Sequence, residues 1–322
     1  MSPARLAVVC AATLALFACD RATTDRSPSA DRPRSRAPTA ATTPPTTIPA
    51  PIADVMERAS MSEQARRLFL EAEPRIEGKA ELQRSCRNTS SVHTLGCFLA
   101  TRRCELRAGP STCSVEKRIH LLRIERVDLK DLMYVSAAHE MLHAAYEAMP
   151  PPERAQLNAN LQSALPGLDQ CRLSANMAAY SGLGGDARLS ELHSILGTEF
   201  PSLPPALQTH YSRYLLNRRS LVQAHDRTLG GREQEICGLR ARLDQLEARI
   251  AGLRAQLRRL RSSGNVRAYN AQVPSFYAEV STYNRLVATH NTKVREYNDL
   301  LASLGSTADA LQQRGAAPSA PA

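Results

Sequence analysis

The strongest constraint on the fold is an apolar repeat of seven residues in the second half of the chain. A helix with this repeat carries its apolar side chains on one stripe and buries that stripe against another helix, as in a coiled coil. The phase continues across Gly230 and Gly231, so we expect one helix over about 205–261 with a soft point at the glycines. At ~1.5 Å per residue this helix would be on the order of 85 Å long. The two seam positions hold Leu215, Val222, Leu229, Ile236, Leu243, Ile250 and Leu257, and Leu239, Leu246, Leu253 and Leu260.

A second heptad series predicts a helix that returns along the first. Residues 262–265 read Ser-Ser-Gly-Asn, which is a turn sequence, and Pro274 is expected in the first turn of the return helix. The sequence therefore predicts an antiparallel coiled-coil hairpin over 205–304, followed by a disordered tail over 305–322. We expect the hairpin to control access to the rest of the protein or to dock a partner protein. The returning series consists of Val280, Val287, Val294 and Leu301.

The N-terminus has the layout of a secretory signal. Arg5 precedes thirteen mostly apolar residues, a stretch too short to span a bilayer comfortably. The stretch ends in Leu16-Phe17-Ala18-Cys19, which resembles the bacterial lipobox, where the signal is removed and the cysteine receives a lipid. We expect a signal peptide over 1–19, a membrane anchor through a lipid on Cys19, and export to the periplasmic or outer-surface side of the bacterial cell envelope. An ordinary cleaved signal with an incidental cysteine is the alternative.

Composition predicts a tether and a class of partner. Residues 20–53 are almost all Arg, Asp, Ser, Thr, Ala and Pro, which cannot bury a core and predict a disordered tether. The chain has a formal net charge of +10, which would suit nucleic acid. The export signal argues against nucleic acid, so anionic lipid headgroups or acidic envelope polymers are the more reasonable attraction.

Six cysteines lie beyond the signal segment, an even number that favours disulfides in an oxidising compartment. No Cys-x-x-Cys pair occurs, which argues against a cysteine zinc site. We expect up to three disulfides, with the cluster from 86 to 113 pairing internally, and the sequence leaves the connectivity open. The six are Cys86, Cys97, Cys104, Cys113, Cys171 and Cys237.

Residues 54–204 predict an α+β domain. An opening helix is expected over 53–73, where Pro74 stops it. The runs at 97–104 and 119–127 predict strands. An alanine-rich segment over 134–148 predicts a helix that the proline run at 150–152 ends.

The residues that carry chemistry lie on this alanine-rich helix, where residues 139–143 read His-Glu-Met-Leu-His. Residues four apart share one helix face, so His139 and His143 can both direct an imidazole nitrogen to one Zn²⁺ ion. Glu140 is displaced by about 100° and can reach a water on the ion instead, where it would act as the general base. The alternative is a buried helix with two hydrogen-bonded histidines.

This motif and the sequence downstream of it resemble the gluzincin type of zincin metallopeptidase. The metzincin pattern is excluded, because Tyr146 and Met149 stand where that pattern needs glycine and histidine. The run over 189–200 is similar to the second metal-binding helix of gluzincins, which implies Glu191 as the third metal ligand. His193 and Glu199 are the alternatives, and a regular helix can offer only one of Glu191 and His193.

The resemblance also implies a group that orients a zinc-bound histidine. Gluzincins use an aspartate for this role, and Ile195 stands at its position here. We therefore expect Asp186, Asp169 or a backbone carbonyl to make that contact.

Gluzincins further use a tyrosine or histidine to stabilise the oxyanion that forms when water attacks. His210 and Tyr211 are the catalytic candidates for this role, with Tyr214 and Tyr180 as further candidates. For each of them, packing at the base of the coiled coil is the alternative.

These features predict a zinc-dependent peptidase that hydrolyses a protein or peptide substrate through a metal-activated water. The alternative from another class is an envelope lipoprotein scaffold that acts through its coiled coil and has a degenerate or structural metal site. Hydrolysis of a cell-wall amide by the same residues is a third interpretation.

Overall fold

Helices and one small sheet form the structure, in agreement with the predicted α+β class. The computed structural model describes residues 47–86, 95–105, 112–178, 180 and 182–304. The predicted signal peptide, Cys19, most of the predicted tether and the predicted tail lie outside these residues. Within the described chain, no helix is both long enough and apolar enough to cross a bilayer.

The predicted opening helix is divided into two. α1 spans Ala50–Arg58, so the predicted tether ends before residue 50, and α2 spans Glu63–Glu71. Between them Ser60 has φ 52°, in the left-handed region that interrupts an α-helix. The Ser62 hydroxyl then caps α2 by accepting a hydrogen bond from the Ala65 N–H.

The sheet has three strands, and the last strand in the sequence lies between the other two. β1 (Arg75–Glu77) is parallel to β3 (Thr112–Leu122), and β2 (Gly96–Glu105) is antiparallel to β3. β2 confirms the strand predicted over 97–104, whereas the strand predicted over 119–127 begins earlier and ends at Leu122. The short α3 (Lys79–Ser85) follows β1.

α4 (Asp131–Ala148) is the central helix of the body, and every residue from 132 to 146 is buried. A helix that is buried on all sides needs neighbours on all sides. α4 packs on β2 and β3, on α1 and α2, and on α7 (Gly185–Glu199). α5 (Pro151–Ala164) and α6 (Gln170–Ala178) lie between α4 and α7 in the chain. α4 ends before the proline run, as predicted, and Pro151 opens α5.

The prediction of a single helix over 205–261 is wrong for residues 205–230. The chain forms α8 (Pro205–Ser212) and α9 (Arg218–His225), with a non-helical segment between them. There the Leu216 N–H donates to the Ser60 carbonyl and the Tyr214 carbonyl accepts from the Ser62 N–H. Hydrogen bonds to the α1–α2 linker thus replace helical ones. The heptad residue Leu215 consequently belongs to the core of the body.

A helical hairpin begins only after a wider π-helical turn at Asp226–Gly230, the predicted soft point. Its two helices are α10 (Gly231–Ser262) and α11 (Val266–Ser303), joined by a turn in which Gly264 has φ 72°. Pro274 lies inside α11, so its predicted place in the first turn is wrong. The seam of α10 is buried in the middle of the helix, at Leu239, Leu243, Leu246 and Ile250.

The base of the hairpin is part of the body. Tyr297, Leu301 and Leu304 of the returning chain belong to the same hydrophobic core as α4. The Lys79 ammonium donates to the Ala302 carbonyl, 3.2 Å away. The two hairpin helices therefore continue directly from the body, and α10 begins at Gly231.

Two disulfides are formed among the described residues. Cys86 bonds to Cys97, which confirms a pairing within the 86–113 cluster, and Cys171 bonds to Cys237. The second disulfide joins α6 to α10 and so fixes the hairpin to the body. The side chains of the remaining pair lie outside the described part of the structure, and their pairing stays a prediction: Cys104 and Cys113.

Candidate metal centre

The two motif histidines lie on one face of α4, as their spacing predicts. The ring centroids of His139 and His143 are 4.9 Å apart, and both side chains are buried. The apolar packing of α4 against the sheet and its neighbours therefore places two imidazoles in a site without contact to water.

Glu191 on α7 is the third member of this site. Its Oε2 atom lies 3.6 Å from Nε2 of His139 and 3.5 Å from Nε2 of His143. Gly197 allows the necessary approach of α7 to α4, because a Cβ at that position would lie 2.4 Å from Cδ1 of Leu142. The structure thus brings together all three predicted metal ligands, which we call the ligand group: His139, His143 and Glu191.

The ligand group has the dimensions of a metal site. Two ligands at ~2.05 Å from a tetrahedral zinc ion are about 3.3 Å apart, close to the two distances observed here. These distances are too long for direct hydrogen bonds. Nε2 of His139 and Nε2 of His143 are buried and have no hydrogen-bond partner within the described chain. One ligand atom from each residue lies within 4.8 Å of the others, so the group could hold a metal ion.

Electrostatics favour the protonation states that a metal requires. Burial lowers the pKa of His139 to about 4, even though Glu191 opposes the shift. Burial alone would raise the pKa of Glu191, but the facing imidazoles of His143 and His139 lower it to about 2. A neutral imidazole and an ionised carboxylate are the forms that coordinate a cation.

Glu140 lies beside the ligand group without belonging to it. Its carboxylate is fully buried, and burial together with the charge of Glu191 raises its pKa well above the usual value. The backbone N–H of Phe98 faces the carboxylate and partly opposes this rise. Gly96 at the start of β2 makes room for it, because a Cβ there would lie 3.0 Å from Oε1 of Glu140 and 2.6 Å from Oγ of Ser136.

The group that orients a motif histidine is Ser190. Its hydroxyl lies 2.8 Å from Nδ1 of His143, on the side of the ring opposite the ligand nitrogen. The expectation that Asp186 or Asp169 would make this contact is wrong for His143. Asp169 instead accepts hydrogen bonds from the N–H groups of Cys171 and Arg172 at the start of α6.

Tyr180, one of the further candidates, lies at the ligand group. Its side chain is completely buried and forms a hydrogen bond with Glu191. Burial and the charge of Glu191 raise the pKa of Tyr180 well above its usual value, so the hydroxyl keeps its proton. Tyr180 can therefore donate a hydrogen bond at this site.

His210 and Tyr211 are not brought to the ligand group; they surround His193. The Tyr211 hydroxyl donates to the His193 carbonyl at 2.7 Å, and the two rings stack with centroids 5.3 Å apart. Nε2 of His210 lies 2.9 Å from Nε2 of His193. Burial lowers the pKa of His210 to about 4, so this pair is neutral at physiological pH. The contacts agree with the packing alternative for His210 and Tyr211, and they bring Nε2 of His193 to His210. Tyr214 lies at the edge of the same cluster, with its ring 5.4 Å from that of His210.

A second buried ionic group lies where α7, α9 and α10 meet, and it contains Glu199. Nη2 of Arg172 lies 2.7 Å from Nδ1 of His225 and 2.9 Å from Asp226. Nε of the same arginine lies 3.6 Å from Glu233, and His225 lies 4.0 Å from Glu199. Because the guanidinium already supplies the positive charge, we interpret the cluster as an ion-pair network. We call it the arginine network: Arg172, Glu199, His225, Asp226 and Glu233.

The arginine network connects α7, which carries Glu191, to the hairpin. Glu199 lies two turns after Glu191 on α7, and Glu233 is in the first turn of α10. The Tyr297 hydroxyl of α11 donates to Glu233 at 2.7 Å. Gly230 permits the close approach of the arginine, because a Cβ there would lie 2.5 Å from Nη2 of Arg172.

Sequence reasoning missed Gly96, Ser190 as a hydrogen-bond partner, and the arginine network. Ser190 directly precedes Glu191, which was a usable signal once Glu191 was the candidate. Gly96 and Arg172 carried no such signal, because only the packing of β2 and α6 places them beside functional groups.

No protein-family model, characterised protein or solved structure matches this chain. The resemblance to gluzincins is thus neither supported nor contradicted by relatives.

Proposed function

We propose that this protein is a zinc-dependent peptidase. The observation that carries the proposal is the convergence of His139, His143 and Glu191 at metal-ligand distances, with the carboxylate of Glu140 buried beside them. Two imidazoles and one carboxylate are a ligand set of catalytic zinc sites, which use three protein ligands and leave a position for water. Structural zinc sites normally have four protein ligands.

The proposed mechanism assigns each residue one task. Bound zinc supplies a water of lowered pKa and polarises the substrate carbonyl. Glu140 accepts the proton of the attacking water and later gives it to the leaving nitrogen. Ser190 holds the ring of His143 in the orientation that directs Nε2 to the metal. Tyr180 hydrogen-bonds to Glu191, and we assign its hydroxyl as the donor that stabilises the oxyanion.

The finer structural predictions belong to the same proposal. We propose that residues 47–230 form a zincin-like body, supported by the HEMLH helix packed on a small sheet and by a second ligand helix. The hairpin of α10 and α11 is proposed to be an antiparallel coiled coil, supported by the buried heptad leucines in the middle of α10. Export and lipidation at Cys19 are proposed from the N-terminal sequence.

A scaffold with a structural metal site is the second candidate, and one observation favours it. The side chains of the ligand group are at most 1% exposed, so substrate has no direct path to the metal position in this conformation. A peptidase would need a movement that uncovers the group, whereas a structural site would not.

Replacement of Glu140 by Gln distinguishes the two candidates. We expect a metal-loaded preparation to cleave unfolded casein, and a chelator to abolish cleavage. Glu140→Gln should lower kcat/KM by about 10²–10⁴-fold and retain one equivalent of zinc. The matched control is Glu147→Gln, a half-buried carboxylate one turn after His143. It should retain full activity.

The outcomes separate cleanly. Zinc binding without any chelator-sensitive cleavage, by the wild type or by the control, would support the scaffold. Undiminished cleavage by Glu140→Gln would exclude the proposed mechanism. Cleavage of peptidoglycan but not of casein would assign the same residues to a cell-wall amide.

A further inference from the structure

The hairpin is charged very unevenly along its length. Residues 249–278, which we call the hairpin tip, contain six arginines and no acidic residue. The rest of the hairpin, 231–248 and 279–304, contains six basic and seven acidic residues. The tip therefore has a formal charge of +6 and the remainder −1. The tip arginines are Arg249, Arg254, Arg258, Arg259, Arg261 and Arg267.

All six tip arginines are exposed, and most have no acidic neighbour along the chain. Arg249 pairs with Glu279, the first acidic residue beyond the tip, at 3.3 Å. Arg254, Arg258 and Arg261 have the spacing i, i+4, i+7 and so share one face of α10. This face is a continuous cationic stripe at the end of the hairpin.

The acidic residues of the base do not reach the end of the hairpin. Glu247 lies seventeen residues before Gly264 at the turn, roughly 25 Å along the helix. The Debye length at physiological ionic strength is about 8 Å, so charges at that distance are screened from one another. An anionic partner that approaches the end of the hairpin therefore meets an essentially unopposed positive charge.

Exposed apolar side chains accompany the arginines at the tip. Val266 at the start of α11 is 66% exposed, and Tyr277 is 64% exposed. Their spacing of eleven residues places them on the same face of α11. Valine and tyrosine beside arginine suit the boundary between lipid headgroups and acyl chains, where tyrosine is enriched.

We propose that the hairpin tip docks onto the surface of an anionic phospholipid bilayer. The face with Arg254, Arg258 and Arg261 binds headgroup phosphates, and Val266 and Tyr277 enter the interface. A second copy of the chain does not fit this surface, because six like charges on each tip repel one another. The docking is independent of the proposed peptidase activity. The tip lies about 45 Å from the base of α10, so a docked tip would hold the body away from the bilayer.

Vesicle flotation tests the proposal with the full chain carrying Cys19→Ser, so that no attached lipid contributes. We expect binding to phosphatidylcholine vesicles with about 30% phosphatidylglycerol, little binding to pure phosphatidylcholine, and loss of binding in about 0.5 M salt. The triple variant R254Q/R258Q/R261Q should lower the partition coefficient about 100-fold. V266S/Y277S should lower it several-fold.

The matched control removes the same charge from the base of the hairpin, with R240Q/R242Q/R295Q. All variants share the N-terminal segment, so its contribution cancels in the comparison. The control should change the partition coefficient by less than about 3-fold, since Arg242, the nearest of these positions, lies about 18 Å along α10 from Arg254, roughly two Debye lengths. Circular dichroism melting should be the same for both triple variants.

Three results would overturn the proposal. The first is equal weakening by the tip and base variants, which would indicate attraction by net charge alone. The second is equal flotation of the wild type with neutral and anionic vesicles. The third is tip-dependent binding of a labelled DNA duplex without vesicle binding, which would assign the tip to nucleic acid.

Discussion

The ligand group and the arginine network are two buried clusters that share residue types but differ in whether a cationic side chain lies beside their carboxylates. Each combines histidine with carboxylate, and each has ligand atoms within 4.8 Å of one another. In the arginine network Arg172 lies inside the cluster and donates to His225 and Asp226. The contacts described for the ligand group include neither lysine nor arginine. Buried carboxylates need a positive partner, so the comparison indicates that one cluster has a built-in cation whereas the other could hold a metal ion in that role.

The largest expected effect is the loss of metal binding by one cluster and not by the other. Replacement of His143 or Glu191 by Ala removes a metal ligand. Loss of a residue that only hydrogen-bonds to a ligand weakens metal binding by about 10–100-fold, so loss of the ligand itself should lower zinc affinity by more than that. His225→Ala should change zinc affinity only slightly. Titration with zinc and a competing chelator measures both. Equal losses in the two clusters would show that the arginine network is a metal site as well.

Removal of the built-in cation should destabilise the fold without removing the metal. Arg172→Met leaves Glu199 and Glu233 buried without their charge partner, which should lower the free energy of unfolding by about 3–5 kcal/mol. Zinc stoichiometry should stay at one. Urea unfolding provides the measurement, and Arg188→Met at an exposed position is the matched control, with an expected change within about 0.5 kcal/mol. A small effect of Arg172→Met would show that the network is dispensable.

Glu199 of the arginine network should make the stability of the fold depend on pH. Burial raises the pKa of Glu199 to about 7, although His225 and Arg172 oppose the shift. The folded state then binds a proton that the unfolded state releases, so this group makes stability fall as pH rises from about 4.5 to 7. Its contribution is on the order of 3 kcal/mol across that range.

Glu199→Gln removes this titration and keeps an acceptor for Asn176, which hydrogen-bonds to Glu199 in the wild type. We expect the variant to lose less stability than the wild type between pH 5 and pH 7.5, measured by urea unfolding. A parallel pH dependence of the two proteins would contradict the raised pKa.

The smallest expected effect concerns the contact that orients a ligand. Ser190→Ala removes the hydrogen bond to Nδ1 of His143, which should weaken zinc binding by about 10–100-fold and leave the fold intact. Ser163→Ala is a suitable control, since that hydroxyl is exposed and bonds only within α5. Unchanged affinity in Ser190→Ala would mean that the packing of α4 alone fixes the imidazole.

Local spacing was enough to find part of this site. The i, i+4 pair of His139 and His143 predicts a shared helix face, and the structure confirms it. The third ligand needed the resemblance to a known ligand helix, and the structure brings Glu191 to the histidines. His210 and Tyr211 were placed at the site only because they follow that helix closely. Their actual orientation around His193 depends on how α8 packs, which no local pattern encodes.

The sequence by itself determined the helical hairpin, its turn, the central helix and the pair of histidines, because each follows from a period or a spacing within one element. Tertiary structure decided where the long helix breaks, since the backbone of 214–216 finds hydrogen-bond partners in the α1–α2 linker instead of in its own helix. It also decided which buried carboxylates face an arginine and which face imidazoles. That choice depends on contacts between residues distant in sequence, and it separates an ion-pair network from a candidate metal site.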